Sequence, residues 1–82
     1  MIVLNGERMT DRESLHGELK QKLSLPDYYG NNLDALNDCL GERRERELIV
    51  ISHSGDFLEG CGDYGINMLR VFLDNSIQVL LD

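Results

Sequence analysis

Short apolar runs alternate with stretches of helical period along this chain. The opening "MIVLNG" reads as a strand closed by an Asn-Gly turn. "TDRESLHGELKQKL" reads as a helix. In it Thr10 and Glu13 have the spacing of a capping box, Asp11 lies in the first turn, and Leu15, Leu19 and Leu23 form a buried stripe. Pro26 separates this helix from a second, "NNLDALNDCLGE", which should end near Gly41. "ELIVIS" is a continuous apolar run of the kind that suits a strand covered on both faces. "SGDFLEGCGDYG" is rich in glycine and reads as loops holding a short helical turn. "INMLRVFLD" predicts a further helix with Met68, Leu69 and Phe72 in the core. "SIQVLL" predicts a closing strand with Ile77, Val79 and Leu81 on one face.

The order is therefore β-αα-β-αα-β. Strands separated by helical crossovers imply an α/β fold, a small three-stranded parallel sheet with right-handed connections. No linker, repeat or low-complexity segment divides the chain, so residues 1–82 read as one domain with room for one modest core.

Composition narrows the function classes. Hydrophobic content of 41% and charged content of 28% fit a globular chain rather than a disordered one. No apolar run approaches membrane-spanning length, and the apolar start is too short for a secretory signal, so the expectation is a cytoplasmic protein with no membrane association. Two cysteines, Cys39 and Cys61, make no disulfide framework and read as free thiols. Eight basic against fifteen acidic side chains give a net charge of −7. Such a surface repels a phosphate backbone, which argues against direct nucleic-acid binding. It favours a soluble monomer and would steer association with a basic partner.

The second helix concentrates that acidity. At about 100° per residue, Leu33, Leu36, Cys39 and Leu40 fall on one side, and Asn31, Asp34, Asp38 and Glu42 on the other. An ordinary solvated helix mixes Lys or Arg with its acids at i,i+4, yet no basic residue stands between Asp27 and Glu42. Carboxylates at that spacing could also ligate a metal or form an acid/base pair. No third ligand lies nearby in sequence, because His16 and His53 belong to other segments, so neither metal nor cofactor is expected. No Cys/His/Asp grouping suggests a nucleophile. An acidic carrier domain is a further class of this size. It is all-helical, and the strand "ELIVIS" argues against it.

The stretch "LPDYYGNNLDALNDCL" closely resembles the central segment of the barstar family of cytoplasmic ribonuclease inhibitors. "VLNGE", "SLHGELKQKLSLP" and "LRVF" resemble that family's first strand and turn, first helix and last helix. The resemblance spans nearly the whole chain and is weakest from Ser52 to Gly65. It implies a non-catalytic protein that blocks the active site of a basic, secreted ribonuclease and so protects the producing cell from its own toxin. By that resemblance Asp38 is the central aspartate, standing where an RNA phosphate would sit against arginines and a catalytic histidine. Asp34 pairs with basic residues beside it. Tyr28 packs on the catalytic histidine, with Tyr29 its neighbour and Gly30 the turn into the helix. Asn32 and Leu33 are contacts at the helix start. Glu45, beyond the helix, and Asp74, on the last helix, are acidic contacts facing the nuclease.

The chain departs from the family at the rim. Asn37 replaces a tryptophan within the helix, and the family's helix-end glycine sits one position early, at Gly41; both positions stay in the expected interface. "ERRERE" replaces an apolar and aromatic loop. These changes leave the carboxylates in place. They bear on which ribonuclease is bound, and they keep open a second reading, a barstar-like module with a partner that is not a ribonuclease.

Overall fold

A computed structural model describes residues 1–82. Strand β1 covers Ile2–Asn5, helix α1 Arg12–Lys22, helix α2 Leu33–Glu42, strand β2 Ile49–Ser52, helix α3 Ser54–Asp74 and strand β3 Val79–Leu81. The sheet is parallel throughout in the order β1-β2-β3, with Leu4 opposite Ile51 and Ile51 opposite Leu81. This is the α/β arrangement the sequence implies. No helix is long and apolar enough to cross a membrane.

The core lies between the helices and one face of the sheet. Leu4, Ile49 and Ile51 from the strands meet Leu15, Leu19 and Leu23 of α1, Leu36 and Leu40 of α2, and Phe57, Met68 and Phe72 of α3. The other face is open, contrary to the expectation that β2 is covered on both. Val50 is half-buried there, between the exposed Val3 and Leu80 opposite it in the flanking strands. Ile77 is buried but precedes β3, and Leu81 at the strand's end is exposed.

Several local expectations are corrected. The cap of α1 is Asp11 with Ser14, not Thr10 with Glu13. Ser14 N–H donates to Asp11 Oδ1 (2.8 Å), and Ser14 Oγ accepts from the Asp11 N–H (3.1 Å). Hydrogen bonding from Ser14, first through its backbone N–H and then through its side chain, holds the Asp11 carboxyl below its ordinary pKa. The turn after β1 is a 3-10 turn over Gly6–Arg8, opened by Asn5, whose side chain accepts from the Glu7 N–H (3.0 Å). Gly41 does not end α2; it lies inside the helix, which runs on to Glu42.

The largest difference is in residues 54–65, which are helical rather than looped. Glycine lowers helix propensity, but at Gly60 it serves close approach. A Cβ there would meet the Thr10 backbone at 2.5–2.8 Å, so only glycine lets α3 lie this near the start of α1. Gly62 has φ 56° and ψ −132° and breaks the helical path, dividing α3 into two segments. Cys61, expected in a loop, is therefore half-buried on the first segment, its thiol directed at the Met9 carbonyl (3.1 Å).

The free edge of β1 is covered by side chains. The outward Asn5 N–H donates to Glu18 Oε2 (2.8 Å), and Lys22 Nζ donates to the Val3 carbonyl (3.4 Å). Glu18 is only 4% exposed and pairs with Lys22 at 3.0 Å. An edge strand otherwise offers such groups to any passing chain.

Candidate functional site

The segment between α1 and α2 sends consecutive tyrosines to opposite sides. Ser24 and Asn31 take left-handed backbone (φ 54° each), and the Tyr29 N–H closes a turn on the Pro26 carbonyl (2.9 Å). Tyr28 is left 85% exposed, while Tyr29 is 5% exposed and joins the core. It is Asn31, not Gly30, that adopts the unusual backbone conformation.

The Tyr29 hydroxyl meets His16 Nδ1 at 2.7 Å, and the other ring nitrogen, Nε2, meets the Tyr64 hydroxyl at 2.6 Å. A neutral imidazole donates at one nitrogen and accepts at the other, so one tyrosine donates and the other accepts. Burial pushes the His16 pKa down, and Arg12 adds to this; the Arg12 guanidinium lies 4.7 Å from the centre of the Tyr64 ring. Burial pushes the Tyr29 phenol well above the usual tyrosine range. A histidine on α1 and a tyrosine on α3 thus anchor the loop through its inward ring.

Asn32 starts α2. Its Oδ1 accepts from the Ala35 N–H (2.7 Å) and its Nδ2 donates to the Gly30 carbonyl (3.2 Å), so one side chain fixes both the helix start and the end of the loop. Leu36 and Leu40 are buried and Leu33 half-buried, while Asp34, Asn37, Asp38, Gly41 and Glu42 are exposed. The ion pairs of the chain are the N-terminal amine with Glu47, Lys22 with Glu18, and His53 with Glu7. Asp34, Asp38 and Glu42 take part in none. The Cys39 thiol beside them has its pKa raised, first by burial and then by the charges of Glu42 and Asp38.

Tyr28, Tyr29, Gly30 and Asp38 come together with Ala35, Cys39 and Glu42 around a cleft of about 220 Å³. Asn32, Leu33 and Asp34 lie at the start of the same helix. Asn37 accepts a hydrogen bond from Asn75 Nδ2 (2.8 Å), which ties α2 to the end of α3, and Asp74, next in sequence to Asn75, is exposed and lines no part of the cleft. Glu45 is exposed in the irregular run between α2 and β2 and lines no part of the cleft. In that run Arg43 turns inward and donates to the Leu23 carbonyl at the end of α1 (2.9 Å), whereas Arg44 is exposed. No histidine joins Asp34 and Asp38. A separate exposed trio, Glu7, His53 and Asp56, gathers near the start of α3.

Sequence reasoning left Glu42 out of the site although it placed that residue on the acidic side, and it missed His16 and Tyr64 as anchors. The position of His16 beside Leu15 on the buried stripe of α1 was the available signal.

The sequence matches the family described as Barstar (barnase inhibitor) over residues 1–80. It is 39% identical over 71 residues to a Bacillus subtilis protein named "Putative ribonuclease inhibitor YrdF", covering 85% of this chain and 78% of that protein.

Proposed function

The chain belongs to the barstar family, and from that membership we propose that it inhibits a basic, secreted ribonuclease by covering the enzyme's active site with α2 and the Tyr28–Gly30 turn. The observation that carries this reading is the row of exposed carboxylates on α2, which have no ion-pair partner within the chain. A ribonuclease gathers positive charge to hold phosphate and the transition state. Carboxylates on a fixed helix answer that charge and present no scissile bond. Arginine–carboxylate pairs are charge-assisted and often bidentate, so Asp38 at the centre and Asp34 beside it take the guanidinium groups. Tyr28 offers a ring for the catalytic histidine. Tyr29, Gly30, Asn32 and Leu33 hold ring and helix in register, and Asn37, Gly41, Glu45 and Asp74 form the rim. A monomer in the cytoplasm of the producing cell would serve as immunity against its own toxin.

The test is an RNA-cleavage assay on barnase and on ribonucleases captured from the source organism, with wild-type chain and Asp38→Ala. Stoichiometric loss of cleavage with wild type, relieved by Asp38→Ala, is the expected result. Capture of a basic protein without any loss of RNA cleavage would show that the α2 face serves another partner.

A further inference from the structure

Helix α2 carries its exposed acids on a body held mainly along one line. Its buried residues are Leu36 and Leu40, on a single row, with Leu33 half-buried beside them. Such a row resists sliding better than it resists rotation about the helix axis. A helix is about 10–12 Å across with its side chains, so a roll of about 20° carries a surface carboxylate through about 2 Å. A charge-assisted pair made at hydrogen-bond distance does not survive that shift.

One hydrogen bond opposes the roll. Asn37 stands about 100° round the axis from Leu36, on the flank that meets the end of α3. Its Oδ1 accepts from Asn75 Nδ2, and no other hydrogen bond joins Leu33–Glu42 to another helix or strand. Asn75 is well anchored for this. Its Nδ2 also donates to the Val71 carbonyl (2.9 Å), and its backbone N–H closes on Val71 and Phe72 (3.2 and 3.1 Å). Beyond it the Ser76 N–H donates to the Leu73 carbonyl (2.9 Å) and the Ile77 N–H to the Phe72 carbonyl (3.0 Å). These are the two bonds of a Schellman motif, with Ser76 left-handed at φ 59° and Ile77 buried. The Asn75 side-chain oxygen lies over Gly41, where an added Cβ would stand 3.8 Å away, so the carboxamide rests along the Asn37–Gly41 row. Just past the end of α2, Arg43 donates to the Leu23 carbonyl, so the helix is tied to α1 at its end and to α3 along its side.

We infer that Asn75 is a positioning residue: by holding Asn37 it sets the roll of α2 about its axis and so aims Asp34 and Asp38 at the partner. It acts through Asn37 and needs no contact with the partner itself. The inference rests on the reading of α2 as the docking face, and it adds to that reading a residue that lies outside both α2 and the Tyr28–Gly30 turn.

The roll is read on the free, isotope-labelled chain from Cα–Hα residual dipolar couplings, whose vectors stand nearly across a helix axis and so report rotation about it. Asn75→Ala and Asn37→Ala should each shift the couplings of α2 while those of α1 and the sheet hold. Asn37→Asp, which keeps an acceptor for Asn75 Nδ2, should leave them at wild-type values. Asn37 is exposed, so its variants decide the matter even where loss of the α3 cap unfolds Asn75→Ala. Barnase is the probe for the consequence. Its dissociation should be at least about threefold faster from Asn75→Ala, as loss of one neutral hydrogen bond gives, and the substitution should add nothing in an Asn37→Ala background. Lower stability with unmoved α2 couplings would make Asn75 a cap of α3 only and overturn the inference. An effect on dissociation that is undiminished in the Asn37→Ala background would overturn it as well. Shifted couplings in a chain that inhibits no ribonuclease would keep Asn75 as the residue that sets the α2 face and remove the enzyme partner alone. Inhibition with unmoved couplings would remove Asn75 and leave the ribonuclease reading untouched.

Discussion

Glu18 on α1 and Asp38 on α2 are both helical carboxylates, and they are used in opposite ways. Glu18 is almost wholly buried and is met from inside the chain by the Asn5 N–H and Lys22. Asp38 is exposed and is met by nothing. A carboxylate satisfied within the chain contributes to the fold. One held rigid and left unsatisfied adds nothing to the fold and is free for a partner. Sequence carries half of this difference, since Lys22 stands four residues after Glu18 whereas the residue at that spacing after Asp38 is another acid; the burial of Glu18 and its bond from Asn5 belong to the fold alone.

The comparison can be broken from either side. The largest effect is expected at Asp38. Asp38→Ala should weaken binding to an inhibited ribonuclease by at least about 2 kcal/mol, the hot-spot threshold, without lowering the stability of the free chain (the barnase–barstar pair is itself one of the systems behind that range). Titration calorimetry beside thermal unfolding checks both halves, and an affinity within error of wild type would discard the site. Next comes Glu18→Ala, which leaves the Asn5 N–H without its acceptor and Lys22 without its partner. A cost of about 2 kcal/mol in urea unfolding is expected, with binding unaffected. Equal losses in stability and affinity would mean that the two carboxylates are not separable.

Tyr64→Phe should cost about 1 kcal/mol of stability by removing one hydrogen bond from the His16 pair. The same network sets a pH dependence. The folded-state pKa of His16 lies below its ordinary value of 6.5, so the unfolded chain binds the proton more readily. Stability from this group is complete above about pH 6.5 and is lost as pH falls through the lower, folded-state pKa. Denaturant curves from pH 7.5 down to 5 should show that decline in wild type and a flatter line in His16→Gln. The smallest effect concerns Arg44, the exposed arginine of the run between α2 and β2. Arg44→Glu should speed association with a basic ribonuclease at low salt and leave dissociation nearly unchanged. Arg43 would be the wrong choice for this test, because its guanidinium already holds the end of α1.

The parts legible in sequence were those with local rules. The stripe of Leu15, Leu19 and Leu23, the Asn32 start of α2 and its two-sided pattern all follow from helical period and capping, and the structure has each of them. The parts missed depend on partners distant in sequence. Gly60 reads as a loop residue until Thr10 is seen against it. Tyr28 and Tyr29 read as a pair, and only the His16 ring tells which of them turns inward. Asp11 and Thr10 are both good caps, and the choice went to the one with Ser14 three residues on. Arg43 looks like a rim charge until its contact with the Leu23 carbonyl is known.

The all-parallel register has a kinetic consequence. Ile2 pairs with Ile49 and Ile49 with Val79, so no two strands meet through a hairpin. Each pairing must wait for a long loop to close, and folds of that kind collapse more slowly than those built from neighbouring contacts. Helix α2 and the Tyr28 turn lie within the loop that β1 and β2 close. Their arrangement therefore arrives with the sheet and not before it, and a nascent chain gains the proposed docking face only once β2 has emerged and found β1.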